Sequence, residues 1–383
     1  MSGQPTDGTQ CAFCQVRSAA LAWFAALAAG LTFAATATPS TALADEQNGD
    51  SGAVFVQTND ISENSILAYA RSADGTLTPA GRYPTLGRGG TEVGAPTDPL
   101  SSQGSLTFDR RRRLLYAVNA GSDTISVFAV HGTRLRLLQV VASGGRFPTS
   151  VAIHHSLVYV LNAGDEGSIS GFRRNANDRL TAIPGSVRSL DLGGTTPPSF
   201  RSSPAQVGIT DDGAQLLVST KDHGAVDAFA LGPDGRPASA AVTTATGPFP
   251  FAFVFDARGR LVLAAASGSA NTYRVLPSGG LSPAGTAAAN GQEATRWLVE
   301  APHYVYATNI ANNTIVAPDG ALTLTATVHG LPAYDHRKAW RASSPPERWS
   351  AGDSSGPAAA IRCAERSAPR PIGVPYPLIG HRA

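Results

Sequence analysis

Runs of alternating apolar and polar residues recur along this chain, and one local pattern repeats at a spacing of about 43 residues. LLYAVNAGSDTISVFAV (114–130) and LVYVLNAGDEGSISGF (157–172) both place Asn-Ala-Gly between two arms rich in β-branched and apolar residues. Alternation of period two predicts β-strands, and the Gly, Asp and Asn clusters between the runs predict turns. The sequence therefore predicts repeated antiparallel strands.

The pattern occurs six times, and each copy has an equivalent position where its second strand ends. These positions are Asn59, Asn119, Asn162, Thr220, Ala266 and Asn309. Two intervals are longer because they hold Gly/Pro/Ser-rich insertions, TLGRGGTEVGAPTDPLSSQG (85–104) and LGGTTPPSFRSSP (192–204). Since a catalytic residue normally occurs once, the recurring Asn indicates an architectural role. Its side chain is expected to bond the backbone two residues on and so stabilise the turn.

Each repeat contains four strand-like pieces, such as TSVAI, LVYVLN, SISGFRR and LTAIPGSV in the third copy. Four antiparallel strands in 40 to 50 residues are typical of one blade of a β-propeller. A single blade cannot bury both of its faces, so blades stack around a central channel. The sequence predicts an all-β propeller with six recognisable blades between Ala53 and Thr327.

Composition narrows the functional classes. Only 15% of the residues are charged and the net charge is +2, which gives no electrostatic case for a nucleic-acid partner. The 40 Gly and 27 Pro residues agree with a fold that has many turns. P-loop, Rossmann and metal-ligand motifs are missing from the sequence, so no cofactor and no metal are expected.

The first 44 residues have the features of a secretion signal. Arg17 precedes the apolar run SAALAWFAALAAGLTFAATA, and Ala42-Leu43-Ala44 forms a small-residue cleavage site. Cleavage there would remove Cys11 and Cys14 and leave one cysteine, so no internal disulfide is expected. The predicted organisation is a signal peptide (1–44), a propeller (45–330) and an irregular C-terminal segment (331–383), in a secreted or periplasmic protein that is free of the membrane after cleavage.

Three motifs carry a resemblance to a known family. Tyr-Val-x-Asn ends a strand, Pro-Asp-Gly joins outer strands, and SPAQVGITDDGAQLLVSTK occupies 203–221. Together they resemble the lactonase-type β-propellers, which include 6-phosphogluconolactonase-like and carboxymuconate-cyclase-like proteins. The resemblance implies seven blades and a site that opens or closes a small ester ring.

The resemblance also implies catalytic positions, and this chain departs from them. Catalytic members have a His after Pro on an inner strand, then an Arg-His pair in the next blade, and a Glu after a strand-end Asn. Here the first position is Ala205, the second falls in GPFPFAF (247–253), and the third falls in AAAS (264–267). Ring opening needs a base for water and a positive group for the developing oxyanion. The inherited positions supply neither.

Other residues are candidates for the pocket face. Lys221 and His223 lie in the turn KDHG, where either is a candidate acid or base, although a plain polar turn is favoured. Gln103 and Gln206 are predicted to begin inner strands and to reach a polar ligand or a water. Charged side chains in the loops of the same face can bind an anion or solvate the rim: Arg88, Arg146, Arg201 and Glu293. The pair His154-His155 is expected to be a solvated turn and not a metal site.

The pattern breaks down after Asn313. Residues 331–383 are rich in Arg, Pro and Ser and lack alternation, yet they are about one blade long. A frameshifted or decayed last blade is favoured over a disordered tail or a true six-blade ring. Two functions follow from the whole sequence: a secreted hydrolase of a lactone or related small ester ring, or a non-catalytic propeller that binds a ligand or protein through its pocket face.

Overall fold

Six antiparallel sheets, each of at least four strands, make up the part of the chain that the structure describes. The computed structural model describes residues 52–96, 98–285, 288–289, 294–301, 304–309, 314–318, 324–328 and 362–364. The prediction of an all-β fold with four-stranded blades is confirmed. Within these ranges, no helix has the length and apolar character needed to cross a membrane. The predicted signal peptide lies outside the described residues.

The first three blades follow the chain order. Their strands are β1 (Gly52–Gln57), β2 (Ser65–Arg71), β3 (Leu77–Pro84), β4 (Leu106–Asp109), β5 (Leu114–Asn119), β6 (Thr124–His131), β7 (Arg134–Ala142), β8 (Pro148–His154), β9 (Leu157–Asn162), β10 (Ser168–Arg174), β11 (Leu180–Ala182) and β12 (Arg188–Ser189). A 3-10 turn, Ala120–Ser122, follows β5. Blade 1 contains β1–β3, blade 2 contains β4–β7, and blade 3 contains β8–β12.

The next three blades repeat this arrangement. Their strands are β13 (Pro204–Ile209), β14 (Gln215–Thr220), β15 (Ala225–Ala230), β16 (Val242–Ala245), β17 (Pro250–Phe255), β18 (Leu261–Ala265), β19 (Ser269–Val275), β20 (Leu281–Pro283), β21 (Ala288–Ala289), β22 (Thr295–Ala301), β23 (Tyr304–Asn309), β24 (Thr314–Pro318) and β25 (Leu324–Val328). Blade 4 contains β13–β16, blade 5 contains β17–β21, and blade 6 contains β22–β25.

A last strand, β26 (Arg362–Ala364), pairs antiparallel with β1 and gives blade 1 its fourth strand. This strand belongs to the segment that was predicted to be irregular. The other residues of 331–383 lie outside the described residues, so the predicted state of that segment and the seventh blade implied by the resemblance remain untested.

The hydrophobic core is divided into layers between neighbouring blades. On β5, Leu115 and Ala117 pack towards blade 1, whereas Tyr116 and Val118 pack towards blade 3. A second strand is therefore covered on both faces, and all six residues of β5, β9 and β14 are buried. This double burial explains why LLYAVN and LVYVLN are continuous apolar runs, since a strand buried on both faces needs no polar alternation.

Two of the strand-end asparagines, Asn119 and Asn162, bond side chains of the next strand. Asn119 Nδ2 donates to Ser126 Oγ (2.9 Å) and to Thr124 Oγ1 (3.1 Å), and Asn162 Nδ2 donates to Ser170 Oγ (2.9 Å). The architectural interpretation of the repeat is supported, but the expected bond to the backbone two residues on is wrong. Each of these two asparagines faces hydroxyl side chains across the sheet, which accept from its amide nitrogen. The Oδ1 of Asn162 stays buried without a partner among the described residues.

A four-residue segment before β4, Ser101–Gly104, occupies the centre of the molecule. Gln103 N donates to Ala205 O of blade 4 (3.0 Å), and Ser102 Oγ donates to Thr149 O of blade 3 (2.9 Å). Trp297 Nε1 of blade 6 donates to Ser102 O (3.1 Å). This central plug therefore ties several blades together by hydrogen bonds that no single blade provides.

Candidate functional site

The two Gly/Pro/Ser-rich insertions meet and form the base of the candidate site. Val93 N donates to Pro198 O and Phe200 N donates to Val93 O, both at 2.9 Å. These bonds form a short parallel bridge between Val93 and Ser199. The insertions therefore hold each other in place, and they bring Glu92 and Phe200 to the centre from loops far apart in sequence. Long loops of this kind often carry function.

Four ionisable side chains gather around this junction, and we call them the charge cluster: Glu92, Asp98, Lys221 and Arg296. Lys221 directly follows β14, and Arg296 lies on β22, the innermost strand of blade 6. Lys221 Nζ lies 3.5 Å from Glu92 Oε2 and donates to Ser101 O at 3.2 Å. The side chains of Glu92 and Lys221 are both 0% exposed, so water does not screen their interaction.

Aromatic rings surround the two cations, and we call them the aromatic layer: Phe200, Phe249, Phe251 and Trp297. Lys221 Nζ lies 4.9 Å from the ring centroid of Phe200 and 5.4 Å from that of Phe251. Arg296 Cζ lies 4.7 and 5.0 Å from the same two centroids. The rings stabilise the cations through cation–π contacts in a site with little water. Phe200, Phe249 and Trp297 are partly exposed, which makes this layer the side of the site nearest to solvent.

Burial shifts the acid–base properties of the cluster towards neutral pH. It raises the pKa of Glu92 to about 8, although Lys221 attracts a proton away from the carboxyl. It lowers the pKa of Lys221 to about 8, although Glu92 favours the charged ammonium. Burial also lowers the pKa of Arg296 to about 10 and raises the pKa of Asp98. Near pH 8, one proton can therefore pass between Glu92 and Lys221 at little cost.

Three buried polar atoms of the cluster have no hydrogen-bond partner among the described residues: Glu92 Oε1, Arg296 Nε and Arg296 Nη1. A buried donor or acceptor left unpaired costs about 1–3 kcal/mol. Such atoms are uncommon in folded proteins and often mark a functional site. The geometry thus provides a carboxyl, an amine and a guanidinium with unused hydrogen-bonding capacity in one place.

The structure brings Lys221 into the cluster, but it places His223 elsewhere. His223 is exposed in the turn before β15. The expectation that KDHG is a plain polar turn does not hold for Lys221. Its side chain points inward and contacts Glu92 of the first insertion and Phe200 of the second. Its role as an acid or base remains a prediction.

Gln103 and Gln206 make backbone hydrogen bonds with neighbouring blades. Gln206 Nε2 and Oε1 bond Phe253 O and N at 2.9 and 2.8 Å. Gln103 Oε1 accepts from Leu298 N at 3.0 Å, and its Nε2 lies 3.4 Å from Phe253 O. Gln103 precedes β4 and does not begin it. These bonds show how both side chains stabilise the centre, while their predicted contact with a ligand is untested.

The predicted rim arginines are exposed and remain outside the cluster. Arg146 pairs with Asp123 (3.0 Å), and Arg201 pairs with Asp222 (3.1 Å) while its guanidinium lies over the ring of Phe249. Arg88 donates to Gly121 O (3.1 Å). Glu293 lies outside the described residues. Of the three arginines, Arg201 lies beside the aromatic layer.

Two of the three inherited family positions, Ala205 and the stretch 247–253, lie beside the aromatic layer. Ala205 and Phe251 are fully buried and pack together with Phe200, Phe249 and Trp297. The charged groups of the candidate site come from other positions of the chain than these. Sequence analysis missed Glu92 and Arg296. Glu92 is in an insertion without periodicity, and Arg296 is near a strand start, where the sequence does not show which face points inward.

Of the two histidines expected in a solvated turn, only the exposed His155 lies in the turn, whereas His154 is the half-buried last residue of β8. His154 Nε2 lies 3.0 Å from Asp211 O, and the two rings meet edge to face. Among the described residues, no group of three or more His, Cys, Asp or Glu side chains has a geometry that would hold a metal ion.

Comparison with solved structures shows the same fold in other proteins. A candidate 6-phosphogluconolactonase from Bacteroides fragilis is 19% identical, with a TM-score of 0.55 over 75% of this chain and 84% of that protein. A protein from Lactobacillus plantarum is 18% identical, with a TM-score of 0.56 over 74% and 84%. A candidate 6-phosphogluconolactonase from Bacteroides uniformis is 20% identical, with a TM-score of 0.52 over 73% and 82%. No curated protein matches the chain in sequence.

A family model matches most of the propeller directly. The model described as lactonase, 7-bladed beta-propeller, matches residues 50–186 and 179–296, which together exceed half of the chain. These two matches include every element of the charge cluster and the aromatic layer except Trp297. The chain belongs to the lactonase family of seven-bladed β-propellers.

Proposed function

We propose that the charge cluster hydrolyses a lactone or a related small ester ring. The observation that carries this proposal is the buried contact between Lys221 and Glu92, whose pKa values are both shifted to about 8, beside the unpaired N–H groups of Arg296. Family membership supports the proposal, but the acid and base come from positions that the family pattern does not use.

The reaction follows from the roles of these three side chains. The Glu92 carboxylate takes a proton from water, and the water oxygen attacks the ring carbonyl carbon. The carbonyl oxygen becomes an oxyanion, which the guanidinium of Arg296 stabilises. The ring C–O bond then breaks, and the ammonium of Lys221 gives its proton to the leaving oxygen. Transfer of the Glu92 proton to Lys221 restores both groups, so that one water is consumed and one hydroxy acid is formed.

Substrate reaches the cluster from the side of the aromatic layer. Phe200, Phe249 and Trp297 are partly exposed, whereas Lys221 and Glu92 are not. Apolar walls around a few polar groups are typical of small-molecule sites. A compact ring with one carbonyl fits this combination better than a large or highly charged substrate.

A screen of small lactones with the purified protein tests the proposal. Glu92→Gln keeps the shape of the side chain but removes the base, and we expect it to lower kcat/KM by about 10²- to 10⁴-fold, the usual contribution of general acid–base catalysis. Arg201→Gln is the matched control, because Arg201 lies beside the aromatic layer but outside the cluster. Equal activity in Glu92→Gln and the wild type would exclude Glu92 as the base.

The pH dependence of the same reaction has a definite sign. Activity should rise as the pH approaches 8, because Glu92 must lose its proton to act as a base. Activity should fall above that range, because Lys221 must keep its proton to act as an acid. The expected profile of kcat/KM is a narrow bell near pH 8. A profile that is flat from pH 6 to pH 10 would contradict these roles.

A non-catalytic pocket is the second candidate, favoured by the complete burial of Lys221 and Glu92. In that case the cluster binds a small anionic ligand through Arg296 without chemical change. No lactone would then be hydrolysed, yet a small carboxylate such as acetate or citrate would raise the melting temperature of the wild type and not of Arg296→Gln. This result would replace the hydrolase proposal.

We also propose that the protein is exported and that residues 1–44 are removed. The basis is the sequence of this segment, with Arg17, an apolar run and Ala42-Leu43-Ala44. Expression of the full chain in a bacterial host, followed by fractionation and N-terminal sequencing, should give a mature protein that begins at Asp45. A full-length cytoplasmic product would contradict export.

A further inference from the structure

A second concave site lies between blades 3 and 4, and we call it the inter-blade groove. It has a volume of about 440 Å³ and is lined by the end of β10, with Arg173 and Arg174, by β11 and the residues that follow it, and by the loop after β15, with Arg236. No residue of the charge cluster or the aromatic layer takes part in it. A volume of this size suits a small ligand.

The groove and the charge cluster open at opposite ends of the blades. Lys221 follows a second strand of its blade, and the groove is formed by turns that follow third strands. Neighbouring antiparallel strands run in opposite directions. The last residues of a second strand and of a third strand therefore lie at opposite ends of the blade, one strand length apart. A ligand in the groove is thus separated from the proposed catalytic site by the length of a strand.

Two arginines bridge the groove reciprocally. Arg173 of blade 3 donates from Nη2 to Asp234 O of blade 4 (2.8 Å), and Arg236 of blade 4 donates from Nε to Pro184 O of blade 3 (2.8 Å). The turn that carries Arg236 is fixed further by buried Tyr159, whose hydroxyl donates to Gly235 O (2.7 Å). Both guanidinium groups are therefore positioned before any ligand binds, which reduces the entropy lost on binding.

These arginines retain donors for a ligand. Within the described residues, no hydrogen bond uses Nη1 or Nη2 of Arg236, or Nε or Nη1 of Arg173. The third arginine, Arg174, pairs with Asp178 at 3.1 Å and donates to His155 O at 3.0 Å, which leaves its Nε without a partner. Arg173 and Arg236 face one carboxylate of the lining, Asp234, which lies 3.5 Å from Arg236 Nε. The excess of fixed positive charge favours an anion with several oxygens.

We propose that the inter-blade groove binds a small ligand that carries phosphate or sulfate groups. Planar guanidinium groups match the tetrahedral oxyanions of these esters with two parallel hydrogen bonds. The lining has no aromatic residue, which argues against a site for stacked bases. The same chemistry is offered by a free phosphorylated compound and by a lipid headgroup, and the experiment separates the two.

The test is calorimetric titration of the full mature chain with inorganic pyrophosphate at low salt. We expect saturable one-to-one binding that weakens at least tenfold in Arg173→Gln and in Arg236→Gln. Asp234→Asn removes the competing carboxylate and should tighten binding several-fold, an effect that partial unfolding cannot imitate. Arg134→Gln is the matched control, because this exposed arginine begins β7 and lies outside the groove, and the variant should bind as the wild type does.

Three results would overturn the proposal: no saturable binding, equal weakening in Arg134→Gln, or no tightening in Asp234→Asn. A second titration uses vesicles of phosphatidylcholine with and without phosphatidic acid. If the wild type binds both pyrophosphate and the vesicles with phosphatidic acid, and Arg173→Gln binds neither, the natural ligand is a lipid headgroup. Binding of pyrophosphate alone assigns it to a free ligand. Binding of vesicles alone would exclude a small-ligand site.

Discussion

The regular blades and the insertion-built centre differ in the kind of buried polar group that they leave without a hydrogen-bond partner. In blade 2, Asn119 uses both ends of its amide, since its Nδ2 donates to two hydroxyls and its Oδ1 accepts from Asn64 Nδ2 at 2.9 Å. In the charge cluster, a carboxyl oxygen and two guanidinium nitrogens remain without partners. Unpaired buried atoms also occur in the blades, among them Asn162 Oδ1 and Thr149 Oγ1, but there they belong mostly to neutral amides and hydroxyls. In the charge cluster they belong to ionisable groups, which can take part in acid–base chemistry or bind an anion.

The largest expected effect concerns the buried pair in the charge cluster. Lys221→Met leaves Glu92 buried without its partner, which should lower the free energy of unfolding by about 3–5 kcal/mol. The double variant Glu92→Leu/Lys221→Met replaces both charges by apolar groups and should be as stable as the wild type or more so. Chemical denaturation of the wild type and the two variants measures this difference.

The pH dependence of the stability of Lys221→Met is a control for this prediction. The folded-state pKa of Glu92 is raised above its ordinary value of 4.5, so its favourable contribution is present below that pH and is lost as the pH rises through the folded value. Without Lys221 the folded pKa of Glu92 is higher still, because the ammonium no longer favours the carboxylate. Stability should therefore fall as the pH rises above about 4.5. A double variant clearly less stable than the wild type would show that the pair itself stabilises the fold.

The second-largest expected loss of stability concerns the central plug, which bonds several blades beside the insertion-built centre. Gln103→Leu removes the acceptor for Leu298 N and leaves that buried amide unpaired, at a cost of about 1–3 kcal/mol. Gln206→Leu is the comparable change within one regular strand and leaves Phe253 N unpaired. Thermal unfolding should show a loss of similar size for both. A much larger loss for Gln103→Leu would mean that the plug also determines how the blades associate.

Much of the architecture could be predicted from the sequence, because the strand pattern recurs in every blade and Asn occupies the equivalent strand-end position in four of the six. The central chemistry could not. Glu92 is brought to Lys221 by backbone bonds between two insertions, which no local pattern reports. The two glutamines show a related limit: their position near the channel was predicted, but a buried amide bonds whatever backbone group a neighbouring blade presents, and that depends on how the blades associate.

A smaller effect compares two copies of the repeated Asn. Asn119→Ala removes bonds to three side chains, whereas Asn162→Ala removes one, to Ser170. We expect Asn162→Ala to lower the free energy of unfolding by about 1 kcal/mol, the net contribution of one hydrogen bond. The decrease for Asn119→Ala should be larger, because more bonds are lost. Binding at the charge cluster should be unchanged in both. Loss of binding at an unchanged melting temperature would give the repeated Asn a functional role.

The smallest effect is expected at the rim of the site, and it defines where the functional region ends. Arg201 has a side chain that is 70% exposed, and its partner Asp222 is 36% exposed. Exposed ion pairs contribute about 0–1 kcal/mol because water and salt screen them. Arg201→Gln should therefore leave the melting temperature nearly unchanged. Its effect on kcat/KM should be small. That effect should vanish at high salt, because salt screens the attraction between an exposed charge and a substrate. If Arg201→Gln instead lowers kcat as strongly as Glu92→Gln at every salt concentration, the catalytic region extends beyond the buried cluster to include this arginine over Phe249.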